Sequence, residues 1–209
     1  MARRSYDSSA RQEAARLTRA RILETARSIL VEGGYPALSI TALAQAANVS
    51  PQTIYNSIGG KAEVLKACYD VTLAGDDEPV PMNERPEFQA MLHTPSAVVF
   101  IERYAAWCRT VFDRVAGIIG AVSAPGVGDA GAQAFAETIE AERRLGTTRA
   151  MGRLMEVHGL REGLPLERAV DVAWTLNSPE VYDRLVRRCG WSPAEYERWL
   201  AQQLEAALV

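Results

Sequence analysis

The chain has 209 residues, a formal charge of −3 and 48% hydrophobic side chains, which excludes a wholly disordered polymer and leaves apolar material for a small head and a larger core. Its longest run of apolar or small residues, Val115 to Val122, falls far short of the ~18 residues that a spanning helix needs, so no membrane partner is expected. Cys68, Cys108 and Cys189 form no C-x-x-C pair, and no apolar signal segment follows the basic start, which points to a reducing cytoplasm.

The charge is uneven. Residues 1–66 hold nine Arg or Lys against five acidic residues, +4, so the remainder totals −7. A basic head beside an acidic body favours contact with nucleic acid at one end of the chain alone. Arg3, Arg4, Arg11, Arg16, Arg19 and Arg21 crowd the first 21 residues. We expect residues 1–17 to form a flexible basic arm, with Arg19 on the first helix near phosphate.

From about Thr18 to Glu32, Ile22, Leu23, Ala26, Ile29 and Leu30 recur at helical spacing, and Gly33 is a C-terminal stop. Ser39 then reads as a helix N-cap with Leu38 and Leu43 as a hydrophobic staple. The grammar repeats at Ser50, with Pro51 in the first helical position and Val49 and Ile54 as the second staple. Asn48 between them is the residue best able to take a left-handed backbone. Two short helices around a tight turn make a helix-turn-helix. Gln52, Thr53, Tyr55 and Asn56 on the second helix are uncharged hydrogen-bonding groups, suited to base edges or phosphates. Gly59-Gly60 interrupts the chain, and a longer helix is predicted from Lys61 to about Ala74.

Residues 18–66 resemble the DNA-binding domain of TetR-family transcriptional regulators. The resemblance rests on Gly33-Gly34-Tyr35, Ile40-x-x-Leu43-Ala44, Val49-Ser50-x-x-Thr53-Ile54-Tyr55 and Gly60-Lys61-x-Glu63-x-Leu65. The family commonly has His-Phe where this chain has Ser57-Ile58, and Gly where it has Asn48. Ser57 lacks an aromatic donor, whereas Ile58 keeps the apolar packing. The resemblance implies that the Lys61 amine contacts a DNA phosphate. Thr41, Ser50, Gln52, Thr53, Tyr55, Asn56, Lys61 and Arg19 are the candidate DNA-binding residues.

Gly75 to Pro86 combines acidic residues with three prolines and cannot continue a helix, so a domain boundary is placed nearby, with residues 67–209 as the regulatory and dimerisation part. Pro95 opens a helix with one stripe at Val98, Ile101, Ala105, Cys108, Phe112, Val115 and Ile119 and a second at Phe100, Tyr104, Trp107 and Val111. A helix apolar on two faces must be enclosed by others. After a Pro-Gly break at Pro125 to Gly128, a long helix is predicted to His158. Further helices start at Leu164-Pro165 and Ser178-Pro179, and Ser192-Pro193-Ala194-Glu195 forms a capping box before the last. No segment alternates as a strand does, so the fold class is all-α, with about nine or ten helices. The run from Trp174 to Leu200 is similar to the closing helices of one TetR-like subgroup, where such helices pair two subunits. That resemblance and the local aromatic area make Tyr182, Trp191, Tyr196 and Trp199 candidate dimer-interface residues.

Phe100, Tyr104, Trp107, Met151, Met155 and His158 are the candidate ligand-binding residues, being apolar or aromatic with few polar groups. The same stripes also suit an ordinary core. With only His93 and His158, and no second metal-type ligand at helical spacing beside either, no metal site, cofactor or catalytic set is expected. The leading expectation is a homodimeric, one-component regulator of a palindromic double-stranded DNA operator, released by a small-molecule effector. A non-responsive architectural DNA binder is the alternative, and a small all-α enzyme is a more distant one.

Overall fold

In the computed structural model, side-chain caps from Ser39, Ser50, Ser178 and Ser192 start four of the helices. The backbone of residues 3–124 and 129–209 is described, with side chains for residues 9–124 and 129–209. The Pro125 to Gly128 break lies outside these described residues. Helix α1 spans Arg3–Ala37 and so runs through most of the segment expected to be an arm. Ala10, Arg11, Gln12, Ala14 and Ala15 are strong helix formers, and Glu13 pairs with Arg16 one turn later at 2.7 Å, so local propensity accounts for the extension. The helix is interrupted at Gly34, where φ is 75°, one residue beyond the expected stop. A glycine takes this left-handed step without the Cβ clash that other residues incur.

Helices α2 (Ile40–Ala46), α3 (Pro51–Ser57) and α4 (Lys61–Ala74) follow with the expected order. Ile22, Leu23, Ala26 and Leu30 of α1 are buried together with Leu43, Ile54, Val64 and Leu65. Burying each large aliphatic side chain contributes about 1.5–3 kcal/mol. Cys68 Sγ donates to the Leu23 carbonyl at 3.6 Å, tying α4 to α1.

A 3₁₀ turn at Met82–Glu84 leads into α5 (Pro86–Leu92). That helix escapes the sequence reading, which treats the proline-rich stretch only as a break. Pro86 in fact occupies its first turn, where no N–H is needed. The remaining helices are α6 (Ala97–Val122), α7 (Ala130–His158), α8 (Leu166–Leu176), α9 (Pro179–Tyr182, running into a π-helical turn at Asp183–Arg188) and α10 (Pro193–Leu208). Among the described residues there is no strand, and the fold is all-α.

Residues Met1–Asp77 and Gly117–Ala136 form one compact unit; Glu78–Ala116 and Glu137–Val209 form the other. The first unit thus includes the end of α6 and the start of α7, a discontinuous segment that a linear boundary does not capture. There Tyr69 of α4 packs edge-on against Phe135 of α7 with ring centroids 5.4 Å apart. In the second unit, Tyr196, Leu200, Leu204 and Leu208 line one face of α10 and are fully buried. Ser192 and Glu195 cap that helix reciprocally, with Glu195 Oε2 2.7 Å from the Ser192 N–H.

Candidate nucleic-acid interface

The short helices of the head are built by their caps. Ser39 Oγ accepts from the Ala42 N–H at 3.1 Å, and Ser50 Oγ accepts from the Thr53 N–H at 3.1 Å. Leu38, Leu43 and Ile54 are buried, and Val49 is half-buried, so both staples are closed. Asn48 has φ 51°, the left-handed step expected of the turn. Burying Ile54 on one side of α3 leaves the opposite side outward.

On that outward side Gln52, Tyr55 and Asn56 are exposed, Tyr55 by 54%, and Thr41 and Ser50 are exposed nearby in sequence. Gln52 Nε2 donates to Asn56 Oδ1 at 2.8 Å, which lines up two amides one turn apart. Thr53 is half-buried, and its hydroxyl lies 2.8 Å from Ser50 Oγ, so these two side chains serve the cap. Arg19 is half-buried. Its Nη1 donates to the Ser57 carbonyl at 3.2 Å, and its Nε lies 3.5 Å from Asp77, so the guanidinium braces the last turn of α3 rather than standing free.

Lys61 opens α4 directly after Gly60, whose N–H donates to Glu63 Oε2 at 2.9 Å. Its Nζ lies 3.7 Å from the centroid of the Tyr35 ring, within cation–π range. The Tyr35 hydroxyl donates to Asp129 Oδ1 at 3.0 Å. Burial first, and this bond second, push the tyrosine up to about 12, while the same bond and the Ala132 N–H hold the Asp129 carboxyl below its usual range.

Residues 22–68 match the family described as bacterial regulatory proteins, tetR family. The head is a TetR-family DNA-binding domain. This match supports a DNA-binding transcriptional regulator rather than an enzyme. No curated protein matches the sequence. Among solved structures, the chain is similar to NalD, the secondary repressor of the MexAB-OprM multidrug efflux pump in Pseudomonas aeruginosa, with a TM-score of 0.68 at 16% identity over 94% of this chain and 98% of that one. It is also similar to the transcriptional regulator FadR from Bacillus subtilis, solved with stearoyl-CoA, with a TM-score of 0.66 at 14% identity over 88% and 96% of the two chains. MexZ of Pseudomonas aeruginosa, a repressor responsible for antibiotic resistance, gives 0.61 at 18% over 90% and 94%. At these identities the likeness carries the fold.

Beyond the TetR-family head, the second unit places the candidate ligand residues unevenly. Phe100, Tyr104 and Met151 are buried, and Trp107 is half-buried edge-on against Phe88 at 5.8 Å. Met155 is 42% exposed, and His158 Nε2 lies 3.4 Å from Thr94 Oγ1 at the end of α7. Helical spacing alone misses a buried polar cluster around Tyr104. Asn177 Nδ2 donates to Tyr104 Oη and lies 3.4 Å from Thr147 Oγ1, while Asn177 Oδ1 accepts from Arg143 Nη1 at 2.6 Å. Cys108 lies beside it, 3.8 Å from Asn177 Nδ2, and burial pushes its thiol up to about 12. Among the described residues, the Tyr196 hydroxyl and Trp174 Nε1 are buried with no hydrogen-bond partner.

The four aromatic residues expected at a dimer interface also separate. Tyr182 and Tyr196 are 3% and 0% exposed, stacked edge-on at 4.9 Å inside their own unit, so neither ring is open to a second copy. Trp191 and Trp199 are half-buried, 6.3 Å apart. Among the described residues there is no group of His, Cys, Asp or Glu arranged to hold a metal, and no helix long and apolar enough to cross a membrane.

Proposed function

We propose that the chain is a ligand-responsive repressor that binds a palindromic operator as a homodimer in the cytoplasm and is released by a small, mostly apolar molecule. The observation that carries the DNA reading is the outward side of α3, where Gln52, Tyr55 and Asn56 stand exposed on a helix whose cap and staple are closed behind them. One such helix covers only a few base pairs, so useful specificity calls for a second copy about 34–36 Å away.

Ligand response is supported by the interior of the second unit. Phe100 and Met151 supply apolar surface, and the Tyr196 hydroxyl, without a partner among the described residues, supplies a buried donor. A ligand acts by preferring the conformation with the wrong head spacing, because only differential affinity shifts such an equilibrium. Repeated selection by the wild-type protein from a random pool of duplex DNA tests the reading. An enriched inverted repeat, released by a compound that also raises the melting temperature, is the expected result. Failure to enrich any sequence overturns the operator reading. An enriched repeat that no stabilising compound releases favours a non-responsive architectural binder.

A further inference from the structure

Asp129 lies outside residues 22–68, far along the chain from the helix-turn-helix, yet its carboxylate is bonded into the head unit. Its Oδ1 accepts from the Tyr35 hydroxyl at 3.0 Å, from the Gly131 N–H at 2.8 Å and from the Ala132 N–H at 3.2 Å. One oxygen therefore caps the start of α7 and grips the end of α1. The approach is tight, because a Cβ on Gly131 would stand 2.9 Å from Asp129 Oδ1 and 3.1 Å from Tyr35 Oη, closer than real Cβ contacts allow without a shift. On the same Tyr35 ring rests the Lys61 ammonium.

We propose that Asp129 is a positioning residue for DNA binding: by fixing the Tyr35 hydroxyl it orients the ring that holds Lys61 Nζ at the start of α4. The inference rests on the reading of Lys61 as a phosphate contact. A lysine side chain samples many rotamers when free, and ordering it on DNA costs affinity that a preset position avoids. The ring supplies that position. The phenol in turn is held by a charged acceptor, the stronger kind of hydrogen bond.

This role has a sign opposite to that of plain electrostatics. Removing a carboxylate from a DNA-binding head relieves repulsion and tightens binding. Loss of a positioning contact weakens it.

The test measures affinity for the selected duplex across a range of salt concentrations, with melting curves, for Tyr35→Phe, Asp129→Ala and Gly131→Ala, each alone and combined with Lys61→Ala. Each single change should weaken binding by about two- to tenfold. Each should also lower the salt slope by part of the unit that Lys61→Ala removes, and add little once Lys61 is gone. A purely structural role would lower the melting temperature and leave the slope alone. Tyr35→Phe keeps the ring and the α7 cap, so it carries the test if Asp129→Ala fails to fold. Unchanged or tighter binding by both Asp129→Ala and Tyr35→Phe, with Lys61→Ala weakened, overturns the inference alone. A neutral Lys61→Ala beside a damaging Tyr55→Ala overturns both the phosphate contact and the inference, and leaves α3 as the reading helix.

Discussion

Arg19 Nη1 donates to the carbonyl of Ser57 at 3.2 Å, so the first helix holds the last turn of the helix proposed to read DNA. The carbonyl sits at the C-terminal end of α3, where backbone acceptors lack intrahelical partners and a cation is favoured. Arg19→Ala should therefore weaken DNA binding by loosening α3, by about twofold to tenfold, the range of one ordinary exposed hydrogen bond. A salt titration decides its role: a brace leaves the slope close to wild type, whereas a direct phosphate contact removes about one unit.

Lys61→Ala should weaken binding to every duplex alike and lower the salt slope by about one unit, because a phosphate contact carries no sequence information. Binding curves on the selected duplex and on a scrambled one, at several salt concentrations, check this. A loss confined to the selected sequence would place Lys61 at a base edge.

Tyr196→Phe should stabilise the unliganded protein. The hydroxyl is buried without a partner among the described residues, a situation that costs about 1–3 kcal/mol, and the ring packing against Tyr182 survives the change. Thermal melting should show a raised midpoint, together with a smaller shift on adding an effector that engages the hydroxyl. A lowered midpoint would mean that the hydroxyl is bonded in solution, through water for example.

Cysteine labelling reports on both units at once. Cys68 and Cys108 are buried, with thiols pushed up to about 12 mainly by burial, while Cys189 is exposed. The thiolate is the reactive form. For a group whose folded value is raised, the neutral state persists through mildly alkaline pH, so an alkylating reagent should label Cys189 alone in the native chain and all three cysteines after denaturation. Mass spectrometry counts the labels, and rapid native labelling of Cys108 would show that the second unit opens.

Much of the head could be read from sequence because its signals are local. Ser39 and Ser50 cap the helices they precede, as Ser192 does in the second unit, and Asn48 takes the positive φ that a tight turn needs. Helix α5 is harder to read, although Pro86, Phe88 and Met91 carry its start and its buried face, because three prolines nearby read first as a break. The grip of Asp129 on Tyr35 joins residues 94 positions apart, and no periodicity encodes such a pair. Composition near the end of the chain marks Tyr182 and Tyr196 as apolar area needing cover, but it does not say whether that cover comes from the same chain. The covering side chains prove to be Phe112, Trp199 and each other. The polar cluster of Tyr104, Thr147 and Asn177 is likewise assembled from α6, α7 and the cap that ends α8, and only the fold brings it together.

The central claim is that the outward side of α3 reads DNA, and Tyr55 tests it most directly, being exposed on that side and outside the core. Anisotropy titrations of the selected duplex with wild type and Tyr55→Ala, alongside melting curves, are the decisive comparison. An unchanged melting temperature and a loss of about 1–3 kcal/mol in binding, roughly fivefold to a hundredfold or more, are the expected result. Equal affinity of the two proteins for that duplex would contradict it.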